Sequence, residues 1–381
     1  MDELEKGYFE NNDTNPYPQE GGYPGPNGQP PQPPNMPDGQ YGQYGQYGQN
    51  GQPPTLNDRP YVWKSIRYDN MVIVCLLLAF YILNAGLQTA IMILQILLGG
   101  GFSSIIQGIS SGDASINDYT SVMSQVSELL ENVPGGIGIS VIIAEALALL
   151  IFLILRGKKL FTSDIFSSTG KMKPVDFVSL FLIAFGAQFV FTLISLAVNA
   201  ILSMFGMSAT SLMEESIRAL YNPSGFLYII VFGPIMEEII FRGAILRTLE
   251  KHGANYAIVM SSLFFGLFHV FLLQGAFAFC VGLILGYTAI HYSMKWAIVL
   301  HIMINGLATL MDITLPISIQ MVIFIAVFIA AILLLITNRA RIKEAISQGR
   351  PKLKDAYKIA FSGGFLIVAI CIVLSIGIVL M

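Results

Sequence analysis

Residues 313–338 read ITLPISIQMVIFIAVFIAAILLLITN, with Asp312 before them, Arg339 after them and no charged side chain between. About 20 residues of helix cross the roughly 30 Å hydrocarbon core of a bilayer. This stretch is apolar on every side, so it has no face to offer water and reads as a membrane span. The same absence of charge recurs over 70–112, 177–213, 252–294 and 359–381. Of 381 residues, 54% are hydrophobic and 12% charged, against about 25% charged in a typical soluble domain. An ordinary soluble globular enzyme is excluded. Nucleic acid is not an expected partner either, because 21 Lys and Arg against 24 Asp and Glu leave no basic excess. The expected fold is all-α: a polytopic membrane helix bundle of about eight to nine transmembrane helices, with the lipid bilayer as its surroundings.

Working outward, the spans fall near 70–98, 135–155, 175–205, 225–247, 254–272, 275–292, 296–311, 317–337 and 360–381, within a transmembrane helical domain over 61–381. With the N-terminus in the cytoplasm, 19 of the 21 basic residues lie in cytoplasmic segments. Basic residues concentrate on that side of membrane proteins, so the C-terminus is expected to be external. Residues 1–60 differ in composition. They hold twelve of the 18 prolines and a QYGQYGQYGQ run, cannot build a core, and are expected to be a disordered cytoplasmic tail. The tail is either a flexible spacer or a segment docking a partner protein through Tyr, Gln and Pro. Two outer segments have helical apolar stripes suited to lying on the membrane, one from Tyr119 to Leu130 and one from Met213 to Tyr221. Cys75, Cys280 and Cys371 lie in apolar stretches without a C-x-x-C spacing. They read as buried small hydrophobes, not as disulfide or metal partners.

Few ionisable side chains remain at membrane depth: Glu145, Glu237, Glu238, Arg242, His269 and His301, with Asp176 near a span end. Charge in hydrocarbon is expensive, so each is a functional candidate. Glu238 and Arg242 are i and i+4, the favoured order for an ion pair on a helix. Glu237 points about 100° away from Glu238, so one carboxylate can be neutralised while the other projects into a cavity. Pro234 is expected to kink this helix. Phe265-Gly-Leu-Phe-His269 lies on the next span, and His301-Ile-Met-Ile-Asn305 puts an imidazole and an amide on one face, one turn apart. Glu145 stands alone on the second span, either bonded to a neighbouring helix or lining the same cavity. His252 and His291 fall at cytoplasmic ends and read as solvated loop residues.

E-E-x-x-x-R, then F-x-x-x-H, then H-x-x-x-N, each on a transmembrane helix, resembles the signature of the CAAX protease and bacteriocin-processing group. This is the ABI or CPBP family of intramembrane endopeptidases, which includes type II CAAX prenyl proteases. The resemblance covers 225–310, which would be the catalytic core. It implies hydrolysis of a peptide bond in a membrane-associated protein or peptide, prenylated or bearing a leader. Glu237 would be the general base that activates water, His269 would hold that water and relay its proton, and His301 with Asn305 would donate to the oxyanion. Glu238 with Arg242 would support Glu237. A divalent metal such as Zn²⁺ remains open, with Glu237, His269 and His301, and also Glu238, as candidate ligands. His301 paired with Asn305 fits an oxyanion clamp better than a lone metal ligand. No H-E-x-x-H occurs, no G-x-S-G lies in a span, and the span aspartates of G-x-G-D proteases are missing. Two other classes stay in play: a transporter using the same groups as a polar relay, and a non-catalytic immunity or scaffold protein. A transporter usually carries internal repeats, and 70–210 holds no corresponding polar motif.

Overall fold

The computed structural model describes residues 59–98, 136–165, 169–206, 208, 220–269, 271–351, 354–362, 364, 366, 367 and 370. The expectations for the tail, for the outer stripes up to residue 219, for Cys371 and for most of the last span lie outside these residues. Among the described residues the protein is all-α, without a β-strand. Helix α1 is Arg59–Leu98. Helix α2 is Ile137–Ala148, prolonged by a 3-10 turn at Leu149–Phe152 into Leu153–Arg156. Helix α3 is Pro174–Ser203. Helix α4 joins Pro223–Leu227, Gly233–Glu238 and Arg247–Leu249 through π-helical turns at Tyr228–Phe232 and Ile239–Leu246. Then follow α5 (Ala254–Phe268), α6 (Leu272–His291), α7 (Met294–Thr314), α8 (Ile317–Thr337), α9 (Arg339–Gln348) and α10 (Ala356–Ser362).

Among the described residues, six helical stretches are long and apolar enough to cross a bilayer: Tyr61–Leu98, Ile137–Arg156, Pro174–Ser203, Leu272–His291, Met294–Thr314 and Ile317–Thr337. The protein is an integral, multi-pass membrane protein. The exposed side chains of α8, among them Val322, Ile329, Leu333 and Ile336, would be a liability in water. In hydrocarbon they are the solvent-facing surface. Helix α1 starts ahead of the expected position 70, because Lys64 and Arg67 extend it toward the polar interface, where long basic side chains are tolerated. Helix α5 ends before the expected position 272, and His269 is its C-cap.

Local sequence sets these ends. The Asn222 side chain accepts from Gly225 N at 3.0 Å, with Pro223 opening α4. The Ser293 hydroxyl accepts from Trp296 N at 3.3 Å and starts α7. Pro316 ends the link from α7 and precedes α8. Pro234 lies just after the widened turn Tyr228–Phe232. A wider turn relieves the clash between a proline ring and the carbonyl four residues back.

Two apolar clusters fill the interior. One gathers Phe80, Phe152, Phe241, Tyr256 and Phe264 from α1, α2, α4 and α5. The other gathers Phe185, Leu285, Leu300 and Phe324 from α3, α6, α7 and α8. Helix ends meet through two ion pairs, Lys251 Nζ on Asp69 at 2.9 Å and Arg341 on Asp176 at 3.3 Å, and two backbone bonds, Asn255 N to Gly349 O at 2.8 Å and Thr169 N to Tyr292 O at 2.9 Å. These contacts bring the start of α1, the end of α4, the α6–α7 link and α9 to one end of the bundle, as alternating spans require.

Two expectations are corrected. His252 is buried, not a solvated loop residue, and its Nε2 lies 2.6 Å from Asp69 Oδ2; a loop position gave no sign of a partner 183 residues away. Cys75 is exposed and Cys280 intermediate, so neither is a fully buried hydrophobe. A thiol is apolar enough to face lipid as readily as protein.

Candidate active site

Helix α4 supplies Glu237, Glu238 and Arg242, α5 ends in His269, and α7 supplies His301 and Asn305. Glu238 and Arg242 are both fully buried, and Arg242 Nη1 donates to Glu238 Oε1 at 3.0 Å. The guanidinium reaches further, to Gly282 O of α6 at 3.2 Å, and lies over the Phe265 ring with 4.5 Å to its centroid. A carboxylate, a backbone carbonyl and an aromatic face therefore converge on one cation. This anchors α4 to α5 and α6. Arg242 lies inside the π-helical turn Ile239–Leu246, a form of helix common at functional sites.

His301 Nδ1 is 3.0 Å from Glu238 Oε1. A carboxylate only accepts, so this nitrogen carries the hydrogen and donates. The opposite nitrogen, Nε2, faces Glu237 Oε2 at 3.6 Å. His269 Nδ1 is 2.9 Å from Phe265 O, and a carbonyl oxygen likewise only accepts. In the neutral ring Nε2 is then the lone-pair nitrogen, and it faces Glu237 Oε1 at 4.0 Å. Two imidazoles thus flank the Glu237 carboxylate. Its side chain retains 14% exposure while Glu238 has none. Arg242 bonds Glu238, leaving Glu237 the accessible carboxylate of the pair.

Helix contacts explain why His269 sits there. A Cβ on Gly266 would come within 2.7 Å of Gly275 O. Only hydrogen at this position lets α5 and α6 approach closely enough to turn the end of α5 toward α7. The Asn305 Nδ2 donates to Ile229 O of α4 at 3.2 Å. That bond uses one of its two amide hydrogens. Glu145 is buried at the edge of this group, beside Tyr228 and within electrostatic reach of Glu237.

Among the described residues, no three His, Cys, Asp or Glu side chains form a set able to hold a metal ion. Glu238 Oε1 is already shared by Arg242 and His301, and both imidazoles turn to a single carboxylate.

Two residues near the centre carry no motif: Tyr81 of α1 and Tyr228 of α4. The Tyr81 ring packs on Phe268, the neighbour of His269, with centroids 4.9 Å apart. A phenol at membrane depth carries a polar handle, the one signal in the sequence that could have drawn attention to either.

A bundle of membrane-crossing helices with two carboxylates, two imidazoles and a guanidinium locked inside defines a multi-pass membrane protein with an intramembrane acid–imidazole centre. Residues 220–307 match the family described as type II CAAX prenyl endopeptidase, Rce1-like. This segment runs from the start of α4 into α7 and contains every motif residue above. No curated protein and no solved structure matches the chain.

Proposed function

We propose that the chain hydrolyses a peptide bond near the C-terminus of a membrane-associated protein or peptide, with a prenylated CAAX-type terminus as the substrate class. The observation that carries this reading is Glu237, free of Arg242 and faced by the Nε2 atoms of His269 and His301 at 4.0 and 3.6 Å. Gaps of that size between polar atoms suit a bridging water. Glu237 takes a proton from this water while His269 Nε2 accepts its other hydrogen. The hydroxide attacks the peptide carbonyl. His301, anchored through Nδ1 to Glu238, turns Nε2 toward the developing oxyanion and stabilises it when that nitrogen carries a proton. Asn305 donates its remaining amide hydrogen. Collapse of the intermediate breaks the C–N bond, and the proton held by Glu237 passes to the leaving amine. The basic ends gathered at one end of the bundle support a cytoplasmic N-terminus and an external C-terminus.

Glu237→Gln tests this in detergent or liposomes on a panel of prenylated and unprenylated peptides. The variant is expected to fold like wild type and to lose at least about a hundredfold in hydrolysis, the scale of a missing general base. An unchanged rate removes Glu237 from the mechanism. A chelator is expected to leave the wild-type rate unchanged; loss of rate restored by Zn²⁺ would replace this mechanism with a metal-assisted one.

A further inference from the structure

Helices α1 and α2 lie outside the matched segment, yet both present polar groups to the reactive carboxylate. Glu145 of α2 is 2% exposed and its Oε2 has no hydrogen-bond partner. The Tyr81 hydroxyl of α1 is also buried without a partner. Three residues further along α1, and on the same face, Asn84 Oδ1 is in the same condition. A buried polar group left unsatisfied costs about 1–3 kcal/mol, so two beside one carboxylate, from Tyr81 and Glu145, call for an explanation.

Their positions are fixed by backbone contacts. A Cβ on Gly138 would lie 2.3 Å from the Ser224 carbonyl carbon. The start of α2 therefore rests on the α4 backbone, and Glu145, two turns later, comes against Tyr228. The Tyr81 ring is held by Phe268, and Tyr81 lies within electrostatic reach of both Glu145 and Glu237. Glu145 offers an acceptor and Tyr81 a donor. Together they complement one peptide unit, which has one N–H and one C=O.

We propose that Tyr81 and Glu145 form a subsite that reads the substrate's backbone: Glu145 Oε2 accepts a peptide N–H, and the Tyr81 hydroxyl donates to a peptide C=O, beside the bond attacked from Glu237. Tyr228 is a positioning residue that orients the Glu145 carboxyl. Recognition through backbone selects an extended peptide whose own N–H and C=O groups are unpaired. It tolerates varied side chains and is strong in low-dielectric surroundings. The subsite rests on the endopeptidase reading, but binding can test it without turnover.

The experiment uses the full chain in nanodiscs with Glu237→Gln, and a fluorescent farnesylated CAAX peptide methylated in turn at each backbone nitrogen around the scissile bond. One N-methyl position is expected to weaken binding about tenfold, the scale of one buried hydrogen bond, and adding Glu145→Leu is expected to abolish that penalty. In the hydrolysing chain, Tyr81→Phe is expected to raise KM about three- to tenfold with kcat within about twofold. An N-methyl penalty that survives Glu145→Leu overturns the subsite, and so does a Tyr81→Phe variant that loses kcat at constant KM. If Glu145→Leu fails to fold, Tyr81→Phe decides alone, since it removes a single oxygen. Hydrolysis with no backbone coupling overturns the subsite and leaves the endopeptidase reading standing. A chain that neither binds nor cleaves the peptides, prenylated or not, overturns both.

Discussion

Arg242→Ala is the sharpest test of the buried charge arrangement. The substitution removes the cation bonded to Glu238 at 3.0 Å while both side chains are fully buried. Deleting one partner of a buried pair costs about 3–5 kcal/mol, because the other charge is left uncompensated. The Gly282 carbonyl also loses its donor and the Phe265 ring its cation, worth about 1–3 and about 2 kcal/mol in isolation. His301 still donates to Glu238 Oε1, which offsets part of the loss, so about 3–5 kcal/mol is the net expectation. At about 2–4 °C per kcal/mol for a domain of this order, the unfolding midpoint should fall by roughly 6–20 °C. Thermal unfolding of the full chain in detergent, followed by the fluorescence of Trp63 and Trp296, its two tryptophans, measures this. Combining Arg242→Met with Glu238→Gln removes both charges and should recover most of the deficit, since a buried pair replaced by neutral groups is often tolerated. A midpoint for Arg242→Ala within about 2 °C of wild type, or a double variant no better than the single one, would refute the reasoning.

Asn305→Ala is expected to reduce kcat about a hundredfold or more, as loss of an oxyanion donor does, with a midpoint only slightly lowered by the missing bond to Ile229; steady-state kinetics beside a melt separates the two effects, and an unchanged kcat removes Asn305 from the chemistry. Gly266→Val puts a side chain where a Cβ would already lie 2.7 Å from Gly275 O. It should separate α5 from α6, cost about 1–3 kcal/mol and shift His269 enough to lower kcat more than stability; wild-type kinetics in a folded variant would contradict this. His252→Leu leaves Asp69 with Lys251 alone and should cost about 1–3 kcal/mol. Its activity per folded molecule should not change, since His252 and Glu237 are about 22 Å apart along α4; a kcat loss at an unchanged midpoint would count against it.

The spans were legible because hydrocarbon imposes one rule, a long run without charge, and 317–337 follows that rule to the residue. The Glu238–Arg242 pair was legible for a similar reason: spacing along one helix fixes which side chains meet. Contacts between distant helices obey no such local rule. Nothing around Asp69 announces His252, 183 positions away, and nothing around Tyr81 announces Phe268. Both depend on how α1 crosses α4 and α5. The crossings in turn depend on glycines such as Gly138 and Gly266, whose role is the absence of a Cβ, and one sequence cannot distinguish such a glycine from an indifferent one. The π-helical turn around Arg242 was equally hidden, because it answers to packing and to Pro234, not to propensity.

The order of Glu237, Glu238 and Arg242 matters more to the proposed mechanism than their number. On an α-helix a partner at i+4 is offset by about 40°, and one at i+5 by about 140°. The widened turn from Ile239 modifies those angles, but Arg242 still bonds Glu238 and also reaches Gly282 and Phe265. This cation is thereby committed to the wall of the centre. Glu238, held by Arg242 and His301 together, orients an imidazole toward Glu237. Glu237 is left a carboxylate with two imidazoles opposite it and no salt bridge to Arg242. A carboxylate in a strong ion pair is a poor proton acceptor, because taking up the proton means giving up the pair. Pairing Glu237 instead would stabilise the fold just as well and would abolish the chemistry. On this mechanism, a cation moved to bond Glu237 should yield a folded, inactive chain even though every catalytic side chain is still present.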